Sequence, residues 1–80
     1  MNTLQLRERI ELLNKRLLLY LKAEQAILAG QSYQIEGLEL TRPNLLQVQN
    51  MIRALTNDIA ALTDKLNRTN KHSRVIRPAW

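Results

Sequence analysis

The sequence predicts an α+β fold in which two long antiparallel helices are joined by a two-stranded β-hairpin and followed by a flexible C-terminal tail. Two long stretches carry apolar side chains at alternating intervals of three and four residues, the period of one helix face. The short segment between them alternates apolar and polar residues, as half-buried strands do. The end of the chain is polar, basic and interrupted by a proline, which indicates a tail.

The first helix is predicted over residues 3–29. Asn2 or Thr3 can cap its first turn, and Gly30 can adopt the left-handed conformation that commonly ends a helix. An apolar stripe follows one face and is interrupted by Glu24, which we expect at the edge of the core, paired with a basic group. The stripe consists of Leu6, Ile10, Leu13, Leu17, Tyr20 and Ile27.

Residues 17–21 are apolar around the whole circumference of this helix, which is more surface than one partner helix can cover. Two explanations remain open: contact with the hairpin of the same chain, or contact with another subunit. A subunit interface would use a second apolar face of the helix, with Leu12, Leu18, Leu19 and Ala23 as its candidate residues.

The hairpin is predicted from two short runs, Tyr33 with Ile35 and Leu38 with Leu40, on either side of the dipeptide at residues 36–37. A two-residue loop that contains glycine is typical of a tight hairpin turn. Because an isolated hairpin is only marginally stable in water, we expect its apolar face to lie on the helices.

The second helix is predicted to begin at Thr41, a capping residue, with Pro43 in the first turn where its missing N–H does no harm. A heptad seam then continues along the helix. Its members are Leu45, Val48, Ile52, Leu55, Ile59, Leu62 and Leu66. The two helices have similar lengths, so they can pack antiparallel with the hairpin at their shared end. This predicts one domain over residues 1–66.

The charge of the chain divides into a nearly neutral body and a basic tail. The formal net charge is +5, but residues 1–66 carry 8 basic and 7 acidic side chains. Cysteine is absent and there is 1 histidine, which argues against a disulfide framework and a multi-histidine metal site. We expect no cofactor, no metal and no enzymatic activity, because the carboxylates are more simply solvated charges. No apolar run is long enough to predict a membrane span.

Residues 67–80 form the predicted basic tail, which ends in Trp80. Tryptophan and arginine are enriched among the residues that anchor interfaces, so we interpret the tail as a partner-binding segment. Its candidate binding residues are Arg68, Lys71, Arg74, Val75, Ile76, Arg77, Pro78 and Trp80.

The order helix, glycine, hairpin, Thr-capped helix, basic tail and terminal aromatic resembles the lambda protein W family of phage head–tail joining proteins. Residues 21–45 carry the closest match, LKAEQAILAGQSYQIEGLELTRPNL, which is similar to an AxxAxLxGxxY…LTRxxL pattern in small prophage proteins of this kind. The resemblance implies the α-β-β-α fold already predicted from the residues. Both helices here are expected to be longer than in that family, and the hairpin turn tighter.

The resemblance also implies a role in the virion, after an earlier period in the host cytoplasm. Such proteins form a ring, typically of twelve copies, beneath the portal protein, extend the DNA channel and offer a platform for the next neck or tail-completion protein. The C-terminal segment matters for function in that family, and its matching positions here are residues 74–80. The basic side chains would then meet acidic portal surface or DNA phosphates.

Two other classes of function stay open at this point. A pI near 10.3 is also typical of a small nucleic-acid-binding module. Mixed charges on the helices and the lack of a helix-turn-helix spacing argue against this class. The heptad seam would equally suit a coiled-coil hairpin adaptor or chaperone unrelated to phages.

Overall fold

The computed structural model describes the backbone of residues 2–74 and the side chains of residues 2–69. Two long helices pack antiparallel, and a two-stranded hairpin connects them at one end of the molecule. The elements are α1 (Thr3–Leu28), β1 (Tyr33–Ile35), β2 (Leu38–Leu40), a 3-10 turn (Arg42–Asn44) and α2 (Leu45–Arg74). The predicted α-β-β-α fold is confirmed.

Helix α1 has a cap at each end. At its start, the backbone N–H of Gln5 donates to the side-chain oxygen of Asn2 at 2.8 Å, and the N–H of Asn2 donates back to the side chain of Gln5 at 3.1 Å. At its end, Gly30 has a φ of 84°, and the N–H of Gln31 donates to the carbonyl of Ala26 at 2.8 Å. This is a Schellman arrangement, which satisfies carbonyls that the helix leaves without a partner.

The hairpin has a two-residue turn, as predicted. Ile35 lies opposite Leu38 in an antiparallel ladder, and Glu36 and Gly37 connect them. Both turn residues have positive φ, 51° for Glu36 and 82° for Gly37. Positive φ at both positions defines a type I′ turn, whose twist matches that of the two strands. Local chemistry therefore sets the register of the hairpin.

The entry into α2 is a capped 3-10 turn. The N–H of Thr41 donates to the side-chain oxygen of Asn44 at 2.9 Å, and the N–H of Asn44 donates to the carbonyl of Thr41 at 2.7 Å. Pro43 lies inside this turn, where its ring adds rigidity and no N–H is needed. The regular α-helix then begins at Leu45.

The core lies along the seam between the helices, and its central cluster lies beside the hairpin. All seven predicted seam positions of α2 are buried or half-buried, as are the stripe positions of α1. The central cluster joins both helices to both strands, and consists of Ala23, Ile27, Ile35, Leu40 and Val48. The seam predicted from the heptad pattern is confirmed.

Helix α2 ends later than predicted. The heptad stops at Leu66, but the helix continues to Arg74, so the first part of the predicted tail is helical. Extending an existing helix requires one hydrogen bond per residue fixed and no new nucleation. No glycine or proline interrupts the segment, and the hydroxyl of Thr69 donates to the carbonyl of Lys65 at 3.0 Å. Residues with weak helix propensity therefore become helical because they extend the helix that precedes them.

Two smaller expectations were wrong. Leu38 was expected on the helix-facing side of the hairpin, but it is 57% exposed, whereas Ile35 opposite it is buried, because β1 rather than β2 packs against α1. Glu24 lies half-buried at the edge of the core, as expected, but the partner is not the expected basic group: the side-chain amide of Gln49 donates to its carboxylate at 3.0 Å.

Candidate partner-binding surfaces

One exposed apolar surface of α1 comprises Leu12, Leu18 and Leu19, which we call the α1 leucine face. Their exposed fractions are 53%, 52% and 37%. Since residues seven apart lie nearly in line on a helix, Leu12 and Leu19 form one row along the axis. Neither the hairpin nor α2 covers this row fully, so contact within the chain explains only part of the apolar circumference of α1.

Ala23 is not part of that surface. It was a candidate for the subunit interface, but its exposed fraction is 0% and it packs within the central cluster with Val48 and the hairpin residues. A small side chain at this position allows close packing of the surrounding elements against α1. The prediction for Ala23 was therefore wrong, because the hairpin of the same chain occupies the space that a second subunit would need.

Charged side chains run through the α1 leucine face in an ordered way. Glu8, Lys15 and Lys22 are all exposed and follow one another at seven-residue intervals, which places them in a row along the outer side of α1. We call this the charged row. Leu12 and Leu19 lie one helical turn from its members on one side, and Leu18 lies on the other side. An acidic group thus stands near the start of the row and basic groups follow.

Two shallow depressions lie on the surface. One follows α1 and is lined by Gln5, Glu8, Arg9 and Leu12, so it borders the α1 leucine face. The other lies where α1 ends and the 3-10 turn begins, between Gly30 and Pro43. Among the described residues, no group of three or more His, Asp or Glu side chains could hold a metal ion.

The basic candidates occupy the far end of α2. Arg68 is exposed and forms an ion pair with Asp64 one turn earlier, an interaction that is worth little at a solvated surface. Lys71 and Arg74 lie within the helical backbone of α2, and their side chains lie outside the described residues. The remaining candidates also lie outside the described residues, namely Val75, Ile76, Arg77, Pro78 and Trp80.

The position of this basic end follows from the register of the helices. Glu24 of α1 and Gln49 of α2 lie at the same height, since their side chains are hydrogen-bonded. Thr3 is as many residues before Glu24 as residue 70 is after Gln49. Thr3 of α1 and residue 70 of α2 therefore lie at the same level. The last turn of α2 therefore projects beyond the start of α1, away from the hairpin.

Several exposed apolar residues were not anticipated. Leu4, Leu28, Leu46 and Met51 are exposed by 63%, 56%, 68% and 37%. Their signal was present in the sequence, because each stands off the seam once the heptad positions of its helix are assigned. No helix among the described residues combines the length and the apolar character needed to cross a bilayer.

Comparison with known proteins gives the chain a family. A model described as a family of unknown function, DUF6148, matches residues 1–78. The chain belongs to DUF6148. The match covers the whole α-β-β-α body of the DUF6148 chain and most of the region after it. No curated protein matches the chain, and no solved structure does. The resemblance of this DUF6148 protein to phage head–tail joining proteins stays a prediction.

Proposed function

We propose that this protein is a structural head–tail connector of a phage or prophage, an adaptor that forms a ring under the portal protein. The α-β-β-α fold supports the proposal, because it is the fold that the resemblance implies. Within this proposal the protein performs no chemical reaction. Its function is to attach to one partner and to offer a surface to the next neck or tail-completion protein.

The observation that carries the proposal is the projecting basic end of α2. The body is close to neutral, whereas Arg68, Lys71 and Arg74 lie on a helix that extends past the start of α1. A cationic segment at the tip of a neutral scaffold suits attachment to an acidic protein surface, and it gives the attachment a direction. In the DNA channel, the same side chains could contact phosphates.

In the proposed assembly, the residues after Arg74 continue the docking segment. Val75, Ile76 and Trp80 would be buried in a cleft between portal subunits, while Arg77 and Pro78 lie between them in sequence. Each buried apolar side chain contributes about 1.5–3 kcal/mol, from which the ordering of the segment is subtracted. A ring of about twelve subunits would engage many such segments at once and so gain avidity.

In the assembled ring, the α1 leucine face would supply contacts between neighbouring subunits, and any contact that this face makes in the free protein would be exchanged for them. It lies along the side of the molecule, whereas the basic end of α2 and the end at which the hairpin connects the helices lie opposite each other. Lateral contacts and axial contacts would therefore use different surfaces. The hairpin end would be left free to receive the next neck protein.

The proposal is tested by deleting residues 75–80 and by the single change Trp80→Ala. Both proteins should keep the circular dichroism spectrum of the helical body, and both should fail to join filled capsids to tails in an assembly assay that counts infectious particles. Met51→Ala is a matched control, because it alters an exposed apolar residue of α2 that belongs neither to the tail nor to the hairpin. Normal yields of infectious particles with the truncated protein would contradict the proposal.

A further inference from the structure

We propose that the α1 leucine face binds a second copy of this chain in the free protein, through antiparallel pairing of two α1 helices about a two-fold axis near Lys15. The inference goes beyond the connector function and does not depend on it. It stands on the described residues of α1 and uses none of the basic tail.

The row formed by Leu12 and Leu19 by itself favours a two-fold pairing. Leu12 and Leu19 are both exposed, and an axis between residues 15 and 16 brings Leu12 of one copy level with Leu19 of the partner subunit. The same operation repeats the contact with the roles exchanged, as a two-fold interface requires. One operator thus covers Leu12 and Leu19 on both chains.

The charged row selects the same axis independently. Glu8 and Lys22 are equally distant from Lys15, so an axis at Lys15 brings Glu8 level with Lys22 of the partner subunit, and Lys22 level with the partner's Glu8. The two estimates of the axis differ by half a residue, or about 0.75 Å along a helix. Opposite charges then border the leucine contacts twice.

Lys15 is the one member of the charged row that this pairing does not favour. It lies nearest the axis, where it approaches its own counterpart, and like charges weaken association. Glu11, one turn earlier on the same helix, offsets part of this repulsion. We therefore expect a weak dimer that forms at high protein concentration and is further weakened by salt.

A second copy fits this surface better than an unrelated partner does. The body carries almost no net charge, so two bodies repel each other little. A parallel pairing would set Glu8 beside the partner's Glu8 and Lys22 beside the partner's Lys22. The order of charges along the row thus discriminates between the two directions and favours the antiparallel one.

The decisive test is a charge exchange in the full-length protein, followed by sedimentation equilibrium. Either Glu8→Lys or Lys22→Glu alone should weaken dimerisation by about tenfold, because each creates two like-charge contacts. The double variant should restore the dimerisation constant to within about threefold of the original. These residues are exposed, so circular dichroism should show an unchanged fold. Failure of the double variant to restore dimerisation would overturn the pairing.

Disulfide trapping tests the axis directly, because the chain has 0 cysteines. Lys15→Cys should give a covalent dimer under mild oxidation, since residues at the axis can approach within disulfide distance. Asn57→Cys, on the exposed side of α2, is the matched control and should remain monomeric. Covalent dimers from Asn57→Cys but not from Lys15→Cys would exclude the pairing. So would a ladder of larger oligomers in sedimentation, which indicates a head-to-tail contact.

The outcomes separate this inference from the connector proposal. A chain that lacks residues 75–80 should still dimerise, because α1 is unchanged. Loss of capsid joining with intact dimerisation supports both proposals, whereas a strictly monomeric protein that still joins capsids would overturn the α1 pairing and leave the connector function standing.

Discussion

The side-chain amide of Gln49 donates a hydrogen bond to the carboxylate of Glu24 across the interface of the two helices, at a distance of 3.0 Å. Glu24 occupies a position of the α1 seam that the two preceding heptads fill with Leu17 and Ile10. The bond therefore links the two helices at a fixed height. It marks the register of the helices, from which the projection of the basic end of α2 past the start of α1 follows.

Replacing this polar contact should stabilise the protein. Glu24→Leu should raise the free energy of unfolding by about 1 kcal/mol, because a half-buried seam position gains apolar contact while Gln49 can turn to water. Chemical denaturation measures the change. Gln25→Leu, at an exposed neighbouring position, should stay within about 0.5 kcal/mol of the original protein. A loss of more than 1 kcal/mol in Glu24→Leu would mean that the hydrogen bond outweighs the apolar contact.

Adjacent residues at the end of α1 should respond very differently to truncation. Ile27 is 1% exposed in the central cluster, whereas Leu28 is 56% exposed. Ile27→Ala should lower the free energy of unfolding by about 2–4 kcal/mol, since it leaves a cavity among packed neighbours. Leu28→Ala should change it by less than about 0.5 kcal/mol. Equal losses at the two positions in thermal or chemical denaturation would show that the packing of this end is different.

The turn of the hairpin should tolerate asparagine and resist alanine. Gly37 has a φ of 82° with no atom near enough to clash with an added Cβ, so Gly37→Ala should be destabilised by backbone strain alone, by about 1 kcal/mol. Glu36→Asn should be neutral or slightly stabilising, because asparagine favours the first position of a type I′ turn. The ion pair between Glu36 and Arg16, which is 3.9 Å long and exposed, contributes little to the stability of the unaltered protein. If the Glu36→Asn protein were less stable than the Gly37→Ala protein, a type I′ turn would be excluded.

The late end of α2 can be checked residue by residue. In NMR spectra of the full chain, the Cα chemical shifts of residues 67–74 should be helical. Asn70→Pro should abolish the helical shifts around and beyond that position, because proline removes a hydrogen bond and clashes with the preceding turn. Global stability should fall by less than about 1 kcal/mol, since this end projects past the core. Asn57→Pro, inside the same helix, should lower stability by at least about 3 kcal/mol. Random-coil shifts for residues 67–74 in the unaltered protein would contradict the extended helix.

Most of the fold could be predicted because local sequence patterns determine it. Asn2 or Thr3 marks the start of α1, where the structure selects Asn2 with Gln5; Gly30 marks its end, and a glycine-containing two-residue loop sets the hairpin. These signals act between residues a few positions apart, so they need no knowledge of the rest of the chain. The end of α2 was not predicted, because the residues there have weak helix propensities. Extension of an existing helix outweighs weak propensities.

The candidate surfaces were only partly predictable. Leu12 and Ala23 belonged to the same apolar set in the sequence, yet Leu12 is exposed and Ala23 is fully buried. The difference arises because the hairpin folds back over one part of α1 and not over the other. Periodicity identifies which side chains share a face of a helix, but it does not show which segment covers that face.

The sequence by itself determined the order of elements, the extent of α1, the register of the hairpin and the residues of the seam. Only the tertiary structure decided that Gln49 bonds Glu24, that the α1 leucine face stays exposed, and that the basic end of α2 projects as a helix. Backbone conformation depends mainly on neighbours along the chain. Burial depends on segments that are distant in sequence, and their positions become known only once the chain has folded.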